Sequence, residues 1–577
     1  MNMTLAQVAA IRGGMPAMRR QVTTMAGEVQ PPVFGNNGAT TPYVEETQLA
    51  EIAFAGHHGA VGRSVGVDND AASRLVAATR RETAEFIGAS ADEYDTVFTR
   101  NATDSLNILS TGLDLSAGDV VIVTRMEHSS NFLPWDQLTS ATVVEISVTR
   151  DGRVDMVEFR SAVEQAGNNL KVLSVAHAAN LTSFLNPVAE MLEYARRVNS
   201  DVVAVLDACQ TLAHLPISAQ DWGFDFVVAS GHKAYAPPAP GFIVGRKELM
   251  ARLKPHQLGG GMARLAAPGE LVQVASPYHL EAGSLNVPGI AALRAALRVL
   301  EKIGLERIDA YERALKRQFV ERIVAANREG IEVFGGMGSL EDSLGIVLLH
   351  GEGVTAALGQ ELETLHGIYT RYGLACAHRY GIDILNGNSE ELTGILRAGG
   401  CPSTGAFLRF SLGLFNTLEE VEYVADAILG PRYTRSQVLY LPREVESAKV
   451  EAMSDEFQRL GHLKEIAEAV TSLRPDITDV NSLNERLSRI FGIDISQEGV
   501  FDFCWENLRK QQKADSTFYI KVLLLMEYLT VQGYLNTFAN RESYFFDFFK
   551  GLFVRLFEAD PENYAEVINE CLVEAEA

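Results

Sequence analysis

The fold of this chain is indicated most clearly by the stretch VVASGHKAYAPPAPG, Val227–Gly241. A run of apolar residues ends abruptly in Gly, His and Lys, and a proline-rich loop follows. A lysine at the end of a strand is often no more than an exit into solvent. In α/β proteins, however, the carboxyl end of a strand is also where ligand sites form. The role of Lys233 therefore depends on which other residues reach the same edge.

Short apolar runs rich in Val and Ile recur on both sides of this stretch, between about residues 80 and 300. They are DTVFTR, DVVIVTR, KVLSVAH, DVVAVLDA, DFVVAS and GFIVGR, and helical patterns separate several of them. Near-continuous apolar strands that alternate with helices predict an α/β fold, with a mainly parallel sheet and helices on both faces. Because ligands bind outside the carboxyl ends of such strands, the residues that follow each run are candidates for a site.

The same pattern divides the chain into four parts. An N-terminal arm (1–30) precedes the α/β domain (31–290), and a small α+β domain (291–430) begins with a long helical stretch. Between residues 440 and 577 the apolar residues recur at helical spacing and glycines are few, which predicts a helical C-terminal domain. We expect its aromatic side chains to form a core of its own. A docking module for a partner, or a second contact between subunits, is the alternative.

The composition argues against several classes of protein. With a net charge of −24 over 577 residues, we expect no nucleic-acid or anionic-membrane partner. No apolar run approaches the length of a membrane span and no signal peptide is evident, so we expect a cytoplasmic protein. The cysteines are scattered and odd in number, which fits reduced thiols: Cys209, Cys376, Cys401, Cys504 and Cys571. No metal site is predicted.

Polar residues follow the first three runs. In TRNATDS, Ala102 and Thr103 stand at a helix start, where backbone N–H groups and the helix dipole bind phosphate. Alone, this motif is as well explained by an ordinary cap from Asn101 or Thr103. His128 and Asn180 follow the next two runs, and each by itself is more typical of a structural residue.

The later runs end in a more specific combination. Asp207 ends a run of apolar residues, with Gln210 three positions further on. An aspartate at the end of a buried strand needs a partner or a cationic group of a ligand. One ligand would use all of these groups. Pyridoxal 5′-phosphate requires a lysine amine for its aldehyde, a carboxylate for its ring nitrogen and donors for its phosphate. The sequence therefore predicts that Lys233 carries this cofactor.

On these motifs the sequence resembles the class V aminotransferase group of fold type I pyridoxal-phosphate enzymes, and within it the cysteine desulfurases. The resemblance covers roughly residues 30–430 and rests on NNGATTP, TRNATDSLN, EHSSNFLPW, AHAANLTS, LDACQTLAHLPI, SGHK, GGGM, EAGSLNVPGI, RYGLACA and LRFSLGLFNT. Two stretches depart from the family. AYAPPAPG replaces the usual Leu-Tyr-Gly-Pro-Thr-Gly after the lysine, and GRSVG lacks both histidines of the family's His-Arg-Gly-Ile-His.

The resemblance implies a role for each matching residue at the cofactor. Lys233 would bind the cofactor covalently, Asp207 would pair with its ring nitrogen and Gln210 would contact its ring hydroxyl. His128 would stack on the ring and shuttle protons. The phosphate would be held by Ala102, Thr103, Ser230 and His232, with Ser284 reaching it from the second subunit of a homodimer.

The resemblance also implies a substrate site and a nucleophile. Ala39, Asn180 and Arg409 would bind the amino-acid substrate, with Arg409 as a bidentate clamp for its carboxylate. Cys376, in RYGLACAHRY, stands where the family's Arg-x-Gly-x-x-Cys places the thiolate that accepts sulfur. Cationic neighbours favour a thiolate, although a buried inert cysteine is the alternative.

Several alternatives remain open on the sequence. Cys401 is a rival nucleophile, because the interval before Arg409 is longer than in compact desulfurases and resembles the corresponding region of molybdenum cofactor sulfurases. We expect desulfuration of L-cysteine to alanine, with an enzyme persulfide passed to an acceptor protein. A C–S lyase, epimerase or aminotransferase that needs no thiolate is the runner-up, and a scaffold without catalysis is a further alternative. Cys209 is expected to be a packing residue.

Overall fold

The structure is a computed structural model that describes residue 3 and residues 5–430, apart from residues 20, 24–28, 56–58, 63–65, 386–392, 395–396 and 398–406. The rival nucleophile Cys401 and the predicted helical domain 440–577 lie outside the described residues. Within the residues described, no helix combines the length and the hydropathy needed to cross a bilayer.

The strands form two main sheets and three short pairings. In chain order the strands are β1 (Val22–Thr23), β2 (Val29–Gln30), β3 (Val33–Phe34), β4 (Tyr94–Thr99), β5 (Val120–Thr124), β6 (Thr142–Ile146), β7 (Leu170–Ala176), β8 (Val203–Asp207), β9 (Phe226–Ser230), β10 (Gly241–Arg246), β11 (Ala263–Ala267), β12 (Glu270–Gln273), β13 (Glu332–Val333), β14 (Ile346–His350), β15 (Ile368–Tyr369), β16 (Arg371–Tyr372) and β17 (Leu408–Ser411).

The helices lie mostly between these strands. They are α1 (Leu5–Gly13), α2 (Glu45–Ala55), α3 (Val67–Phe86), α4 (Ala102–Gly112), α5 (Leu133–Leu138), α6 (Met156–Ala166), α7 (Val188–Val198), α8 (Ala219–Trp222), α9 (Lys247–Met250), α10 (Val287–Ile303), α11 (Leu305–Ala326), α12 (Ala356–His366), α13 (His378–Ile384) and α14 (Leu418–Leu429).

The larger sheet has the order β4-β10-β9-β8-β7-β5-β6. Strands β6, β5, β7, β8 and β9 pair in parallel, and β10 runs antiparallel to both of its neighbours. The reversal has a simple cause. A parallel return needs a crossover of a dozen or more residues, and residues 231–240 are too few to provide one. The prediction of a mainly parallel sheet is therefore confirmed, with β10 as its antiparallel member.

Helices cover both faces of this sheet. Along β5, Ile122 belongs to the core on one face, and its neighbours Val121 and Val123 belong to the core on the other. Helices α6 and α7 bury Phe159 and Met191 in the first core, and α4 adds its apolar side chains to the second. Because both faces are buried, the strands are near-continuously apolar, as the sequence predicts. The edge strand β6 is only partly buried and lacks that apolar signal.

The smaller sheet is antiparallel, in the order β13-β14-β17-β16. The long helical stretch before it is two helices, because Gly304 adopts a φ of +95° and ends α10. That left-handed φ favours glycine, which separates the two helices at this position. Strand β3, near the N-terminus, pairs in parallel with β15, and Arg12 on α1 donates to the Phe415 carbonyl at 2.9 Å.

A buried ion pair fixes the segment that precedes α10 to the larger sheet. Arg80 on α3 donates from Nη1 and Nη2 to Glu281 Oε1 and Oε2 at 2.9 and 2.5 Å. Glu281 Oε1 also accepts from the Phe98 N–H of β4 at 2.7 Å. The two charged side chains are 7% and 5% exposed, so each depends on the other for compensation of its charge.

We predict that Arg80→Met lowers the free energy of unfolding by about 3–5 kcal/mol, because it leaves Glu281 buried without its partner. The double variant Arg80→Met/Glu281→Gln should recover much of this loss, since glutamine keeps an acceptor for the Phe98 N–H. Denaturant unfolding of the full chain measures both. Arg160→Met is the control, because Arg160 and Glu190 are 46% and 50% exposed and such a pair contributes at most about 1 kcal/mol. Equal losses in the two single variants would contradict the prediction.

Candidate active site

The strand ends of the larger sheet and the facing edge of the smaller one enclose a cavity of 350 Å³. The structure brings most of the predicted site residues together there. Those that line it are Ala39, Ala102, Thr103, His128, Asn180, Asp207, Gln210, Ser230, His232, Lys233, Cys376 and Arg409. Ser284 is exposed and does not line this cavity within the single chain.

One end of the cavity is the N-terminus of α4. Asn101 caps this helix by accepting from the Asp104 N–H at 3.0 Å, which leaves the first N–H groups of the helix for a ligand. A Cβ on Gly241 of β10 would lie 2.3 Å from the Asn101 carbonyl carbon. The glycine thus lets the strand and the helix start approach closely. Thr103 Oγ1 lies 2.7 Å from Ser130 Oγ, which joins the helix start to the loop after β5.

Two residues at the end of β9 add hydrogen-bonding groups beside this helix start. Ser230 is 2% exposed, and its Oγ has no hydrogen-bond partner among the described residues. His232 Nδ1 lies 3.2 Å from Thr40 Oγ1. Burial, and the positive charge of Lys233, lower the pKa of His232 to about 4, so the imidazole is neutral at physiological pH. This end of the cavity therefore offers neutral donors to an anion.

The aspartate and the glutamine that follow β8 also line the cavity. Asp207 is 7% exposed, and its Oδ1 accepts from the Cys209 N–H at 2.9 Å. Gln210 Nε2 donates to the Gly38 carbonyl at 3.0 Å, which orients its amide. Both residues and Lys233 line the same cavity because β8 and β9 are adjacent parallel strands.

His128 lies across the cavity on the loop after β5. Its Nδ1 accepts from the Ser130 N–H at 3.1 Å, so the proton of the neutral ring is on Nε2. Burial lowers the pKa of His128, and the charge of Lys233 lowers it further. The ring is therefore held in one tautomer, in the neutral form that can give or take a proton.

The smaller sheet contributes a buried cation. Arg409 on β17 is 2% exposed, and its Nη1 donates to the Asn180 carbonyl at 2.6 Å. Burial and the nearby charge of Arg371 lower the pKa of Arg409 to about 10, so it remains protonated at neutral pH. A Cβ on Gly38 would lie 3.1 Å from Arg409 Cζ, so the glycine leaves room for the guanidinium. The Nε of Arg409 has no hydrogen-bond partner among the described residues.

Cys376 completes the set on the loop between β16 and α13. The residue is exposed at the cavity, and Arg371 lines the same space. Both Ala375 and Cys376 adopt positive φ angles, of +47° and +59°. A buried inert cysteine, the alternative considered for this residue, does not fit its exposure.

Several residues that line the cavity were not identified as site residues from the sequence. Cys209, expected to be a packing residue, lines the cavity beside Asp207, and burial raises the pKa of its thiol well above the usual value. Ser130 and Gly38 also line it. The signal for Ser130 was its place two residues after His128 in EHSSN. Gly38 has no such signal, because its role arises from a contact with a distant arginine.

The residues present fit pyridoxal 5′-phosphate. A helix start, a neutral histidine and the unpartnered Ser230 Oγ form one end of the cavity, as a phosphate requires. A buried carboxylate and an amine line the same cavity, as the ring nitrogen and the aldehyde require. In the part of the chain that the structure describes, no group of three His, Cys, Asp or Glu side chains is arranged to hold a metal ion.

Comparison with known proteins shows the family to which the chain belongs. The sequence matches the family model described as Aminotransferase class-V over residues 33–424. The chain thus belongs to the class V aminotransferases, which are pyridoxal-phosphate-dependent enzymes, and within that family it is similar to the cysteine desulfurases. It is 30% identical over 445 residues to "Probable cysteine desulfurase 2" of Mycobacterium leprae, covering 74% of this chain and 97% of the relative.

Two further relatives support the assignment. A cysteine desulfurase of Haloferax volcanii is 28% identical over 435 residues, covering 73% of this chain and 96% of the relative. The crystal structure of the cysteine desulfurase CsdA of Escherichia coli, in an S-sulfonic acid form, superposes with a TM-score of 0.60 at 25% identity, over 73% of this chain and 97% of that one. The predicted fold type I architecture and the predicted family are confirmed.

We predict that Ser230→Ala weakens binding of pyridoxal 5′-phosphate about 10- to 100-fold, the effect of losing one hydrogen bond to a charged group. The variant should leave the melting temperature of the cofactor-free protein unchanged or slightly higher, because the hydroxyl has no partner to lose. Titration with the cofactor and thermal unfolding measure the two effects.

The control is Ser105→Ala on α4. Ser105 Oγ is buried and already bonded, at 3.2 Å to the Phe242 carbonyl and at 2.8 Å to Thr99 Oγ1. Its loss should lower the stability of the cofactor-free protein and leave cofactor affinity unchanged. The opposite pattern in the two variants would show that Ser230 is not a cofactor ligand.

Proposed function

We propose that this protein is a cysteine desulfurase, which removes sulfur from L-cysteine to give alanine and an enzyme-bound persulfide on Cys376. One observation carries the proposal. Cys376 is exposed in the same cavity as Lys233 and Arg409, so a thiol, an amine and a carboxylate-binding cation can engage one small amino acid. A lyase or an aminotransferase would have no use for the thiol.

The residues at the cofactor end of the cavity would each meet a chemical requirement of pyridoxal 5′-phosphate. Pyridoxal 5′-phosphate, when bound, withdraws electrons from the substrate's α-carbon and so makes the bond to sulfur breakable. The Asp207 carboxylate would keep the ring nitrogen protonated, and Lys233 Nζ would hold the cofactor covalently. Thr103, Ser230, His232 and the N–H groups of α4 would bind the phosphate. Gln210 would contact the ring hydroxyl, and His128 would lie against the ring.

The substrate end of the cavity orients the amino acid. Arg409 would clamp the carboxylate with two N–H groups, and the buried position of its guanidinium strengthens that contact. Ala39 and Asn180 would border the substrate beside it. His128 would exchange a proton with the reacting groups through Nε2, since its Nδ1 is already engaged by Ser130.

The sulfur step belongs to Cys376. Its thiolate would attack the substrate's sulfur, so that an S–S bond forms while the C–S bond breaks. The electron pair of the broken bond stays with the carbon skeleton, which takes up a proton and leaves as alanine. Because Cys376 is exposed, its persulfide is accessible to a sulfur-acceptor protein. Such a thiol suits the reducing environment of the cytoplasm, where we expect the protein to work.

We predict that Cys376→Ser abolishes alanine formation from L-cysteine and protein-bound persulfide, while cofactor binding stays intact. The reason is that the thiol and the cofactor-binding groups are different residues. Lys233→Ala should instead lose the cofactor adduct that borohydride reduction traps. Alanine, sulfide, persulfide and the trapped adduct are measured for wild type and both variants.

Cys401→Ser is the matched control and should retain full activity. If Cys376→Ser forms alanine at the wild-type rate, the reaction is that of a lyase or an aminotransferase. If only Cys401→Ser loses the persulfide, the nucleophile is Cys401. A Lys233→Ala variant that still forms the reducible adduct would refute the assignment of the lysine.

We also propose a homodimer in which Ser284 contacts the phosphate bound by the other subunit. Ser284 follows an exposed hairpin, β11–β12, whose apolar side chains Leu265 and Leu271 are 44% and 43% exposed in the single chain. Apolar side chains clustered on an exposed hairpin are typical of an interaction surface.

We predict that Leu265→Glu/Leu271→Glu produces monomers with weaker cofactor binding, as measured by sedimentation and cofactor titration. A charged residue is costly to bury in an apolar interface, so assembly and the phosphate contact should be lost together. Leu138→Glu, at the exposed end of α5, is the control. A wild-type protein that sediments as an active monomer would contradict the proposal.

A further inference from the structure

The loop that carries Cys376 has an unusual backbone. Two consecutive non-glycine residues, Ala375 and Cys376, have φ angles of +47° and +59°. Left-handed conformations are unfavourable for residues with a Cβ and persist when the surroundings hold them. Contacts with the surrounding residues must therefore hold this loop.

Residues that follow strands β5 and β7 of the larger sheet donate to both carbonyl groups of this pair. Asn180 Nδ2 donates to the Ala375 carbonyl at 2.6 Å. Ser129 donates twice to the Cys376 carbonyl, from its backbone N–H at 3.0 Å and from its Oγ at 2.8 Å. The acceptors are carbonyl oxygens, which only accept, so the orientation of the Asn180 amide and the donor role of the Ser129 hydroxyl follow directly.

The contact from Asn180 links the loop to the substrate end of the cavity. The backbone carbonyl of Asn180 accepts from Arg409 Nη1, while its side chain holds the Ala375 carbonyl. Asn180 thus contacts both the Arg409 guanidinium and the loop that carries Cys376. Its Oδ1 is buried without a partner among the described residues, which leaves an acceptor beside the substrate.

The C-terminal side of the loop is held separately. Arg379 on α13 pairs with Glu145 on β6, and Arg125 binds Asp383 at 2.7 Å. These ion pairs fix the helix that follows the loop to the larger sheet. Ala375 and Cys376 lie between this anchor and β16, so their own conformation depends on the hydrogen bonds to their carbonyls.

We infer that Ser129 is a positioning residue for Cys376. Its hydroxyl and N–H donate to the Cys376 carbonyl and hold the residue left-handed, which keeps the thiol at the cavity where the substrate would bind. This inference rests on the proposed function, in which Cys376 accepts the sulfur. Ser129 is next to His128 in the chain. The same short segment therefore supplies the side chain that would stack on the cofactor ring and the residue that binds the loop of Cys376.

The test compares Ser129→Ala with Ser129→Thr in the full-length protein loaded with cofactor. Losing the hydroxyl removes one neutral hydrogen bond, and we expect kcat for alanine formation to fall about three- to tenfold. KM for cysteine and the affinity for the cofactor should stay unchanged, because Arg409 and the phosphate-binding groups are untouched. Hydrogen–deuterium exchange of residues 374–378 should become faster. Ser129→Thr keeps a hydroxyl and should restore both values.

Thr139→Ala is the control, since it removes a hydroxyl that donates to the Trp135 carbonyl at 2.7 Å, away from the cavity. It should change neither kcat nor exchange in residues 374–378. Unchanged kcat and exchange in Ser129→Ala would overturn the inference, and so would a loss that Ser129→Thr fails to restore. Failure of the proposed function would give a different result, because Cys376→Ser would still form alanine. Hydrogen–deuterium exchange in Ser129→Ala would be faster in that case too.

Discussion

The structure depends on the parallel register of β7, β8 and β9. Ala176 at the end of β7 pairs with Asp207 at the end of β8, and Asp207 pairs with Val228 on β9. Parallel strands lie only about 4.8 Å apart, so the residues just beyond their ends share one small space. The carboxylate and the lysine line one cavity because the strands end together. A slip of one residue in β8 would move Asp207 to the opposite face of the sheet.

Electrostatics then determine the state of each group at that edge. Burial keeps His128 and His232 neutral, with the pKa of each lowered, because a charged imidazole would be poorly solvated beside Lys233. Arg409 keeps its charge despite burial, since its pKa falls only to about 10. The cavity therefore presents fixed cations and neutral donors. An anionic phosphate and an amino-acid carboxylate would both be stabilised by that combination.

The loop after Lys233, one of the two stretches that depart from the family pattern, is fixed by contacts on both sides. Tyr235, two residues after Lys233, has a φ of +61°. Its N–H donates to Thr41 Oγ1 at 2.7 Å, and its hydroxyl accepts from the Leu414 N–H at 3.1 Å. The altered loop is thus held by the N-terminal segment and by the chain after β17. Tyr235 makes both contacts, so it anchors the loop that follows Lys233.

The mainly parallel strands were predicted from local apolar patterns and the family from its resemblance on short motifs, and both are confirmed. The cofactor and the roles of the residues at the strand ends were predicted from short spacings and from the same resemblance. Strand β6 was not recognised, since half-exposed edge strands lack a continuous apolar run. Three further features required the folded chain: Cys209 lines the cavity, Gly38 leaves room for Arg409, and Ser129 donates to the Cys376 carbonyl. Ser129 and Cys376, for example, are 247 positions apart in the sequence. No local sequence pattern encodes which distant backbone groups will come into contact.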